Sequence, residues 1–256
     1  MNRPFSGRVA VITGGASGLG EAVAARLAAE GARVVIADVD AAGAARAAAG
    51  IAPRGGVARA VAVDVTRHDD VARMVQVAAA EGGLHVLVLS AAVEIQARLG
   101  DTTDEDWQRV LDVNLKGPFL CLRASIPVMV RGGGGAIVVL GSTLGSIGQP
   151  GFAAYCAAKG ALVNLCKHAA IEHAAAGVRV NVVAPSACEA GLFLRTAERS
   201  GDAAGMKRMV ASRIPMGRLG TVDDVCDTIL FLAGDQSSYL SGAVLPLDGG
   251  LAARRQ

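Results

Sequence analysis

The chain has 256 residues, of which 52% are hydrophobic and 19% are charged, and its formal net charge is +2. This length suits one large α/β domain or two small ones, and the hydrophobic content excludes a chain that is disordered throughout. Because no basic block accompanies the near-neutral charge, nucleic acid is a poor candidate partner.

Seven short aliphatic runs predict buried β-strands. They span residues 9–13, 33–38, 57–63, 85–90, 136–141, 178–184 and 243–247. Their hydrophobicity is continuous rather than alternating, which is typical of parallel strands covered on both faces.

Helical segments are predicted between the strands, at residues 18–31, 71–81, 103–131, 153–176 and 222–233. We expect the first helix to end at Gly31 as a C-cap, and the third to bend or break around Gly117–Pro118. Regular alternation of strands and helices indicates βαβ units and a doubly wound parallel sheet with helices on both faces. No linker is evident, so a single domain over residues 1–256 is the simpler interpretation.

A glycine-rich segment joins the first strand to the first helix, and its backbone is a candidate pyrophosphate cradle. The residues concerned are Gly14, Ser17, Gly18, Leu19 and Gly20. Glycines also make ordinary turns, but the position between a strand and a helix favours a nucleotide site. The spacing is GxxxGxG rather than GxGxxG.

Asp38 ends the second predicted strand, where an acidic side chain accepts hydrogen bonds from adenosine ribose hydroxyls and repels a 2′-phosphate. No Arg or Lys occupies positions 16 or 17, so the sequence favours NAD over NADP. The alternative is that Asp38 is only a polar strand end. Asp64 and Val65 follow the third strand beside the expected adenine, although Asp64 is also explained as a helix cap or turn residue.

Tyr155 and Lys159 lie four residues apart, which places them on one face of a predicted helix. A nearby ammonium lowers the pKa of a phenol towards the range where acid–base catalysis works. An isolated pair of this kind is also explained by a packed tyrosine and a surface lysine. The small residues around Tyr155 favour a ring that is accessible from a cleft.

Two further polar residues are candidates for the same site. Ser142 follows the fifth strand, where its hydroxyl can donate to a substrate oxygen, and it ranks above the nearby Thr143 and Ser146. Asn114 is an unfavourable residue inside a helix. Either a local break holds a water there as a proton relay, or Asn114 is an ordinary helix-terminal residue before the proline kink.

The pattern resembles the short-chain dehydrogenase/reductase family over nearly the whole chain, from Gly7 to about Gly250. The matching motifs are Thr13-Gly14-x-x-x-Gly18-x-Gly20, Asn114, Ser142, Tyr155-x-x-x-Lys159 and Leu247-Asp248-Gly249-Gly250, with Pro215, Arg218 and Gly220. The resemblance implies a Rossmann fold and hydride transfer between a nicotinamide and a carbonyl or alcohol carbon. It also implies a homotetramer.

The resemblance further assigns roles to single residues. Tyr155 would be the acid/base, Lys159 would bind the nicotinamide ribose, Ser142 would orient the substrate and Asn114 would complete a water relay. Ala91 and Pro185 would add cofactor contacts.

The sequence departs from the family pattern at three places near the expected nicotinamide. Leu89-Ser90-Ala91-Ala92 replaces Asn-Asn-Ala-Gly, Pro185-Ser186 replaces Pro-Gly, and Ala190 stands where a threonine helps to hold the carboxamide. These changes weaken the expected hold on the cofactor and leave the proton-transfer residues intact.

The substrate is expected to contact Glu94 and Gln149 beneath an apolar lid at about residues 188–212, although ordinary helix packing explains that segment equally well. Glu94 could accept sugar or polyol hydroxyls, and a solvated loop glutamate is the alternative. A secondary-alcohol dehydrogenase is the leading interpretation. The alternatives are a 3-oxoacyl or other ketone reductase, a nucleotide-binding protein without turnover, and a methyltransferase, which would have no use for Tyr155 and Lys159.

The five cysteines show no metal-ligand or CxxC spacing, so reduced thiols, no metal site and a cytoplasmic location are expected. Residues 1–7 lack the apolar stretch of a signal peptide, and no run approaches the ~18 apolar residues of a membrane span.

Overall fold

The structure, a computed structural model, describes residues 3–253, so five terminal positions of the predicted 1–256 domain lie outside it. Seven parallel strands form one sheet in the order β3-β2-β1-β4-β5-β6-β7. The strands are β1 (Val9–Thr13), β2 (Arg33–Asp38), β3 (Val57–Ala62), β4 (Val86–Leu89), β5 (Gly135–Leu140), β6 (Val178–Pro185) and β7 (Val244–Leu247). The predicted doubly wound single-domain α/β fold is confirmed, and every strand lies within a residue of its predicted bounds.

Nine α-helices occur within the described residues. They are α1 (Gly18–Ala29), α2 (Ala41–Ile51), α3 (His68–Ala80), α4 (Asp104–Leu111), α5 (Gly117–Arg131), α6 (Ala153–His173), α7 (Gly191–Arg199), α8 (Ala203–Ala211) and α9 (Val222–Ala233). The strand order reverses between β1 and β4, which creates a crevice at the carboxyl ends of those strands.

The predicted helices differ from the observed ones at several places. Helix α2 was missed, and it begins where the Asp40 carboxylate caps it by accepting the Gly43 N–H at 2.9 Å. The break in the predicted helix at 103–131 was placed too late, because a π-helical turn, Asp112–Lys116, separates α4 from α5 and Pro118 lies in the first turn of α5. Helix α1 ends at Ala29, and Gly31 follows it with φ of 97°.

Hydrophobic cores cover both faces of the sheet, as the continuous strand hydrophobicity predicted. Alternate residues of β1 enter opposite cores, with Val11 on one side and Ile12 on the other. Helices α3, α5 and α6 pack on the Val11 side, and α1, α2 and α9 pack on the Ile12 side. Each fully buried aliphatic side chain contributes about 1.5–3 kcal/mol to stability, so this double layer fixes the strand ends that carry the site.

The cysteines are all free thiols, and four of them are buried. Across residues 3–253, every helix is too short or too polar to traverse a bilayer.

Candidate active site

A cavity of about 1390 Å³ opens at the carboxyl ends of the strands, at the crevice between β1 and β4. This volume exceeds the ~300–1,000 Å³ of a pocket for one drug-sized ligand. It is lined by the glycine loop after β1, by residues that follow β2, β4, β5 and β6, and by helix α7. The cavity therefore has room for a dinucleotide together with a small substrate.

The glycine loop leaves no space for side chains at its two ends. Gly14 has φ of 68°, and a Cβ there would lie 2.7 Å from the backbone nitrogen and Cα of Ala91. A Cβ on Gly20 would overlap the Gly14 carbonyl oxygen. Gly18 approaches the lid, since its Cβ would lie 3.1 Å from the Cα of Gly191. Glycine at these positions thus lets the loop pack closely on itself and on the chain after β4, which brings its backbone to the edge of the cavity.

Helix α1 presents an open N-terminus to this cradle. Its N-cap residue, Ser17, has extended backbone and its side chain makes no capping hydrogen bond. Ser17 and Leu19 both line the cavity. The first N–H groups of the helix remain available to an anion, and the helix dipole favours one there.

Asp38 lies at the end of β2 and lines the cavity. Its two carboxylate oxygens accept the backbone N–H groups of Ala16 and Asp40, each at 3.0 Å. These bonds fix the carboxylate beside the glycine loop, and each oxygen keeps a further lone pair for a ligand hydroxyl.

Asp64 is a turn residue, the second of the two interpretations that the sequence left open. Its Oδ1 accepts the backbone N–H of Thr66 at 2.9 Å and the Thr66 hydroxyl at 2.7 Å. Asp64 and Val65 nevertheless line the same cavity, so a contact with an adenine ring is compatible with the turn.

Tyr155 and Lys159 are both buried on the face of α6 that borders the cavity. The Lys159 ammonium lies 5.5 Å from the centre of the Tyr155 ring and donates to the Leu140 carbonyl oxygen at 2.7 Å. Burial lowers the pKa of Lys159 to about 8. The surface-lysine interpretation of this pair is therefore wrong.

Ser142 lies between the end of β5 and Tyr155. Its hydroxyl is close enough to the phenol to lower its pKa, and its oxygen accepts the Leu144 N–H at 3.1 Å. The competitors behave differently, since Thr143 is buried and the Ser146 hydroxyl donates to the Thr143 carbonyl oxygen at 3.0 Å.

Burial is the largest influence on Tyr155, and it raises the pKa of the phenol above the ordinary value of 10.0. The charge of Glu94 raises it further, whereas the nearby Ser142 hydroxyl lowers it. The lowered pKa that the sequence predicted depends on the Lys159 ammonium together with the positive charge of an oxidised nicotinamide, whereas the protein's own groups raise the pKa.

Asn114 lies in the π-helical turn and is buried. Its side chain binds the Val93 backbone, with Oδ1 accepting the N–H at 2.9 Å and Nδ2 donating to the carbonyl oxygen at 2.8 Å. Of the two interpretations of Asn114, the local break is observed, and the water relay stays a prediction. The observed contact holds the loop after β4 in place.

The remaining substrate candidates line the outer part of the cavity. Glu94 and Gln149 face it, and the predicted lid at residues 188–212 contributes Phe193 and Met206 from helices α7 and α8. Glu94 accepts a hydrogen bond from the Thr196 hydroxyl at 3.0 Å. It is partly buried and bonded to the lid, rather than a solvated loop residue.

The structure compensates for one of the three departures from the family pattern. The Thr13 hydroxyl oxygen accepts the N–H groups of Ser90 and Ala91, at 3.2 and 3.4 Å, and so joins β1 to the loop after β4. Ala92, Pro185 and Ser186 line the cavity. Ala190 is the N-cap of α7 and offers no side-chain cap.

The contacts that Thr13 and Thr196 make in the site were not predicted from the sequence. Thr13 carries no signal beyond its place at the start of the glycine loop. Thr196 lies 102 residues from Glu94, and no local pattern indicates that the two meet.

The chain is similar to known proteins over almost its whole length. A family model described as Enoyl-(Acyl carrier protein) reductase matches residues 14–252. The cis-4-hydroxycyclohexanecarboxylate dehydrogenase of Sinomonas cyclohexanicum is 42% identical over 255 residues, covering 99% of this chain and 100% of that protein.

Solved structures give the same result. Levodione reductase superposes with a TM-score of 0.94 at 28% identity, covering 98% of this chain and 100% of that one. An NAD+-bound xylitol dehydrogenase superposes with a TM-score of 0.90 at 30% identity, covering 96% and 99% respectively. The curated relative and the two solved structures are each named as a dehydrogenase or a reductase.

Proposed function

This chain belongs to the short-chain dehydrogenase/reductase family, and from that premise we propose that it is an NAD-dependent dehydrogenase that interconverts a secondary alcohol and its ketone. One observation carries the proposal: Tyr155, Lys159 and Ser142 meet at the wall of a single cavity that also contains the glycine cradle. The 42% identical relative is named for a hydroxycyclohexanecarboxylate and one structural neighbour for xylitol, and both names fit a secondary-alcohol substrate.

The described residues fit a dinucleotide. The backbone of the glycine loop from Gly14 to Gly20 would hold the pyrophosphate, and Asp38 would accept the adenosine ribose hydroxyls. Asp64 and Val65 would flank the adenine, and Ala91 and Pro185 would line the nicotinamide end, with Lys159 on the ribose. When bound, oxidised NAD supplies the hydride acceptor and a positive charge beside Tyr155.

In the oxidative direction, the residues of this chain manage the proton. Tyr155 as phenolate takes the hydroxyl proton while the carbinol carbon loses its hydride, so the alcohol becomes a ketone. Ser142 donates to the same substrate oxygen and orients it. Lys159 favours the phenolate by its charge, provided that its ammonium stays protonated.

Asn114 acts first as a positioning residue in this scheme. Because its amide is engaged with Val93 on both sides, it holds the loop that carries Glu94 against the cavity. After the two bonds to Val93, the Asn114 amide still has one N–H on Nδ2 and one lone pair on Oδ1. The proposed water relay would use these groups together with backbone oxygens of the π-helical turn.

We propose NAD rather than NADP because Asp38 is an anion at the position of the ribose hydroxyls. A 2′-phosphate would stand against this carboxylate, with like charges close together. The ketone-reductase alternative is less favoured for the same reason.

We also propose a cytoplasmic homotetramer. Five free thiols fit a reducing compartment. Large apolar side chains are exposed in two groups that suit subunit contacts. One group lies on helices α4 to α6, with Trp107, Phe119 and Ile171, and the other lies on or next to α9 and β7, with Phe231 and Tyr239. Light scattering of the purified protein measures the number of subunits directly.

A panel of secondary alcohols, including a sugar and a polyol, tests the function when NADH absorbance is followed with NAD as cofactor. We expect oxidation of at least one alcohol. No signal with any alcohol, and none with ketones plus NADH or NADPH, would favour a nucleotide-binding protein without turnover.

A further inference from the structure

Glu94 and Thr196 meet across the outer cavity from opposite walls. Glu94 belongs to the loop after β4, and Thr196 belongs to the lid helix α7. The Thr196 hydroxyl donates to Oε1 of Glu94 at 3.0 Å. One carboxylate oxygen is therefore engaged with the lid. Within residues 3–253, the second oxygen, Oε2, accepts no hydrogen bond.

The carboxylate lies near the reacting end of the cavity. Its charge is close enough to Tyr155 to raise the pKa of that phenol, second only to burial as a cause. Burial raises the pKa of Glu94 itself, while Thr196 and the guanidinium groups of Arg195 and Arg199 oppose this effect. The second carboxylate oxygen is therefore open to the cavity and available to accept a hydrogen bond from a ligand.

We propose that Glu94 and Thr196 form a subsite for a second hydroxyl of the substrate, borne on a carbon near the carbinol that Tyr155 acts on. This inference rests on the proposed dehydrogenase function and narrows its substrate to diols and polyols. The free oxygen of Glu94 accepts the hydrogen of that hydroxyl in a charge-assisted bond.

The charges around the subsite select a neutral hydroxyl over charged groups. An anionic substituent at this point would face the Glu94 carboxylate. An ammonium substituent would pair with Glu94 but would approach Arg195 and Arg199. A neutral donor satisfies the free carboxylate oxygen and meets neither repulsion.

Thr196 is the positioning residue of this subsite. By binding Oε1, it fixes the carboxylate rotamer and directs Oε2 towards the substrate. The same bond joins the lid to the wall that carries Glu94, so recognition of the second hydroxyl and closure of the lid depend on one contact.

The test compares cyclohexanol with cis-1,2-cyclohexanediol as NAD-dependent substrates. A site built to bind a hydroxyl discriminates strongly against the analogue that lacks it. We expect kcat/KM for the diol to exceed that for cyclohexanol by about tenfold or more, which corresponds to about 1.4 kcal/mol. Glu94→Ala should bring this ratio close to one, and Glu94→Gln should lower it less because an amide oxygen still accepts. Glu105→Gln, at an exposed glutamate of the cavity rim, should leave the ratio unchanged.

Variants of Thr196 form the second part of the test. Thr196→Val keeps the shape and removes the donor, so KM for the diol should rise several-fold with a smaller change in kcat. Thr196→Ser should restore the KM. NAD binding measured by fluorescence verifies that each variant is folded. Equal use of both alcohols by the wild type, or an unchanged ratio in Glu94→Ala, overturns the subsite and leaves the dehydrogenase function standing. Oxidation of neither alcohol, nor of any other in the panel, overturns both.

Discussion

Asn114 holds the backbone of Val93 from both sides, with its amide oxygen on the N–H and its amide nitrogen on the carbonyl oxygen. The residue can do so because a π-helical turn interrupts the chain between α4 and α5 and turns the buried side chain towards the loop after β4. The Asn114 side chain therefore gives this loop the pair of backbone hydrogen bonds that a neighbouring strand would otherwise provide.

Replacing Asn114 with Ala should destabilise the protein by about 2–4 kcal/mol, since two backbone groups lose their partners in a partly buried place. Urea unfolding measures the loss. Asn114→Asp keeps the acceptor and loses the donor, so its effect should be intermediate. Asn164→Ala, at an exposed position of α6, should change stability by no more than about 0.5 kcal/mol. A loss as small as this in Asn114→Ala would contradict the positioning role.

Tyr155→Phe should lower kcat by about a thousandfold or more, because the phenol oxygen that exchanges the proton is gone. NAD affinity should change little, since the ring remains. Tyr239→Phe is the matched control, as it alters the only other tyrosine of the chain at a fully exposed position. Substantial turnover by Tyr155→Phe would refute the proposed mechanism.

Lys159→Met should make the cofactor-free protein more stable by about 1–3 kcal/mol at pH 7, because an apolar side chain replaces a buried charge. The pKa of Lys159 is about 8 in the folded protein, against an ordinary 10.5. Between these values the unfolded chain binds more protons, so wild-type stability rises with pH. The difference in unfolding free energy between the variant and the wild type, which we call the gap, is therefore largest below pH 8 and decreases towards pH 10.5.

Urea unfolding at pH 7 and pH 10 measures this gap. Lys167→Met changes an exposed lysine of the same helix and should show no such pH dependence. A gap for Lys159→Met that stays constant from pH 7 to pH 10 would mean that the buried amine carries no unfavourable charge. Activity of the variant should fall in any case, since the phenolate loses its neighbouring cation.

Asp38→Asn should weaken the preference for NAD over NADP by about tenfold. The amide oxygen still accepts from a ribose hydroxyl, but the charge that opposes a 2′-phosphate is gone. The ratio of kcat/KM values for the two cofactors is the measurement. Asp69→Asn, on the exposed start of α3, should leave that ratio as it was. If both variants behave alike, the ribose assignment is wrong.

Gly20→Ala should destabilise the fold and abolish NAD binding, because its Cβ would overlap the Gly14 carbonyl oxygen. Backbone must move at this point, and we expect a cost of about 2 kcal/mol or more. We expect the opposite effect on stability for Gly50→Ala. Gly50 lies inside α2 with open space around its Cβ position, so alanine should stabilise the helix by about 0.5–1 kcal/mol. Thermal unfolding and NAD titration distinguish the two.

Sequence patterns predicted those parts of the fold that depend on strong local contrast. The seven strands are apolar runs bounded by polar residues and glycines, and each was predicted within a residue. Helix α2 was missed because the residues that it buries are mainly alanine and glycine, with Ile51 as the one large apolar side chain among them. Tyr155 and Lys159 were found because four residues bring them to one helix face.

The features of the site that were not predicted depend on contacts between residues far apart in the sequence. Glu94 was identified as a candidate by itself, but its bond with Thr196 joins residues 102 positions apart. The burial that raises the pKa of Tyr155 was not predicted, because the sequence shows a neighbouring charge but not the depth of burial. The π-helical turn at Asn114 was expected only as an unspecified break.

The loop from Ser90 to Val93 is anchored by hydrogen bonds to its main chain. Thr13 binds its first two N–H groups, and Asn114 binds both backbone groups of Val93. These bonds do not depend on which side chains stand at positions 90, 91 and 93. A loop anchored in this way can exchange a side chain that faces the cavity, and with it the alcohols that are accepted, while its backbone keeps its place. Ser90, which departs from the family pattern, still donates its backbone N–H to Thr13.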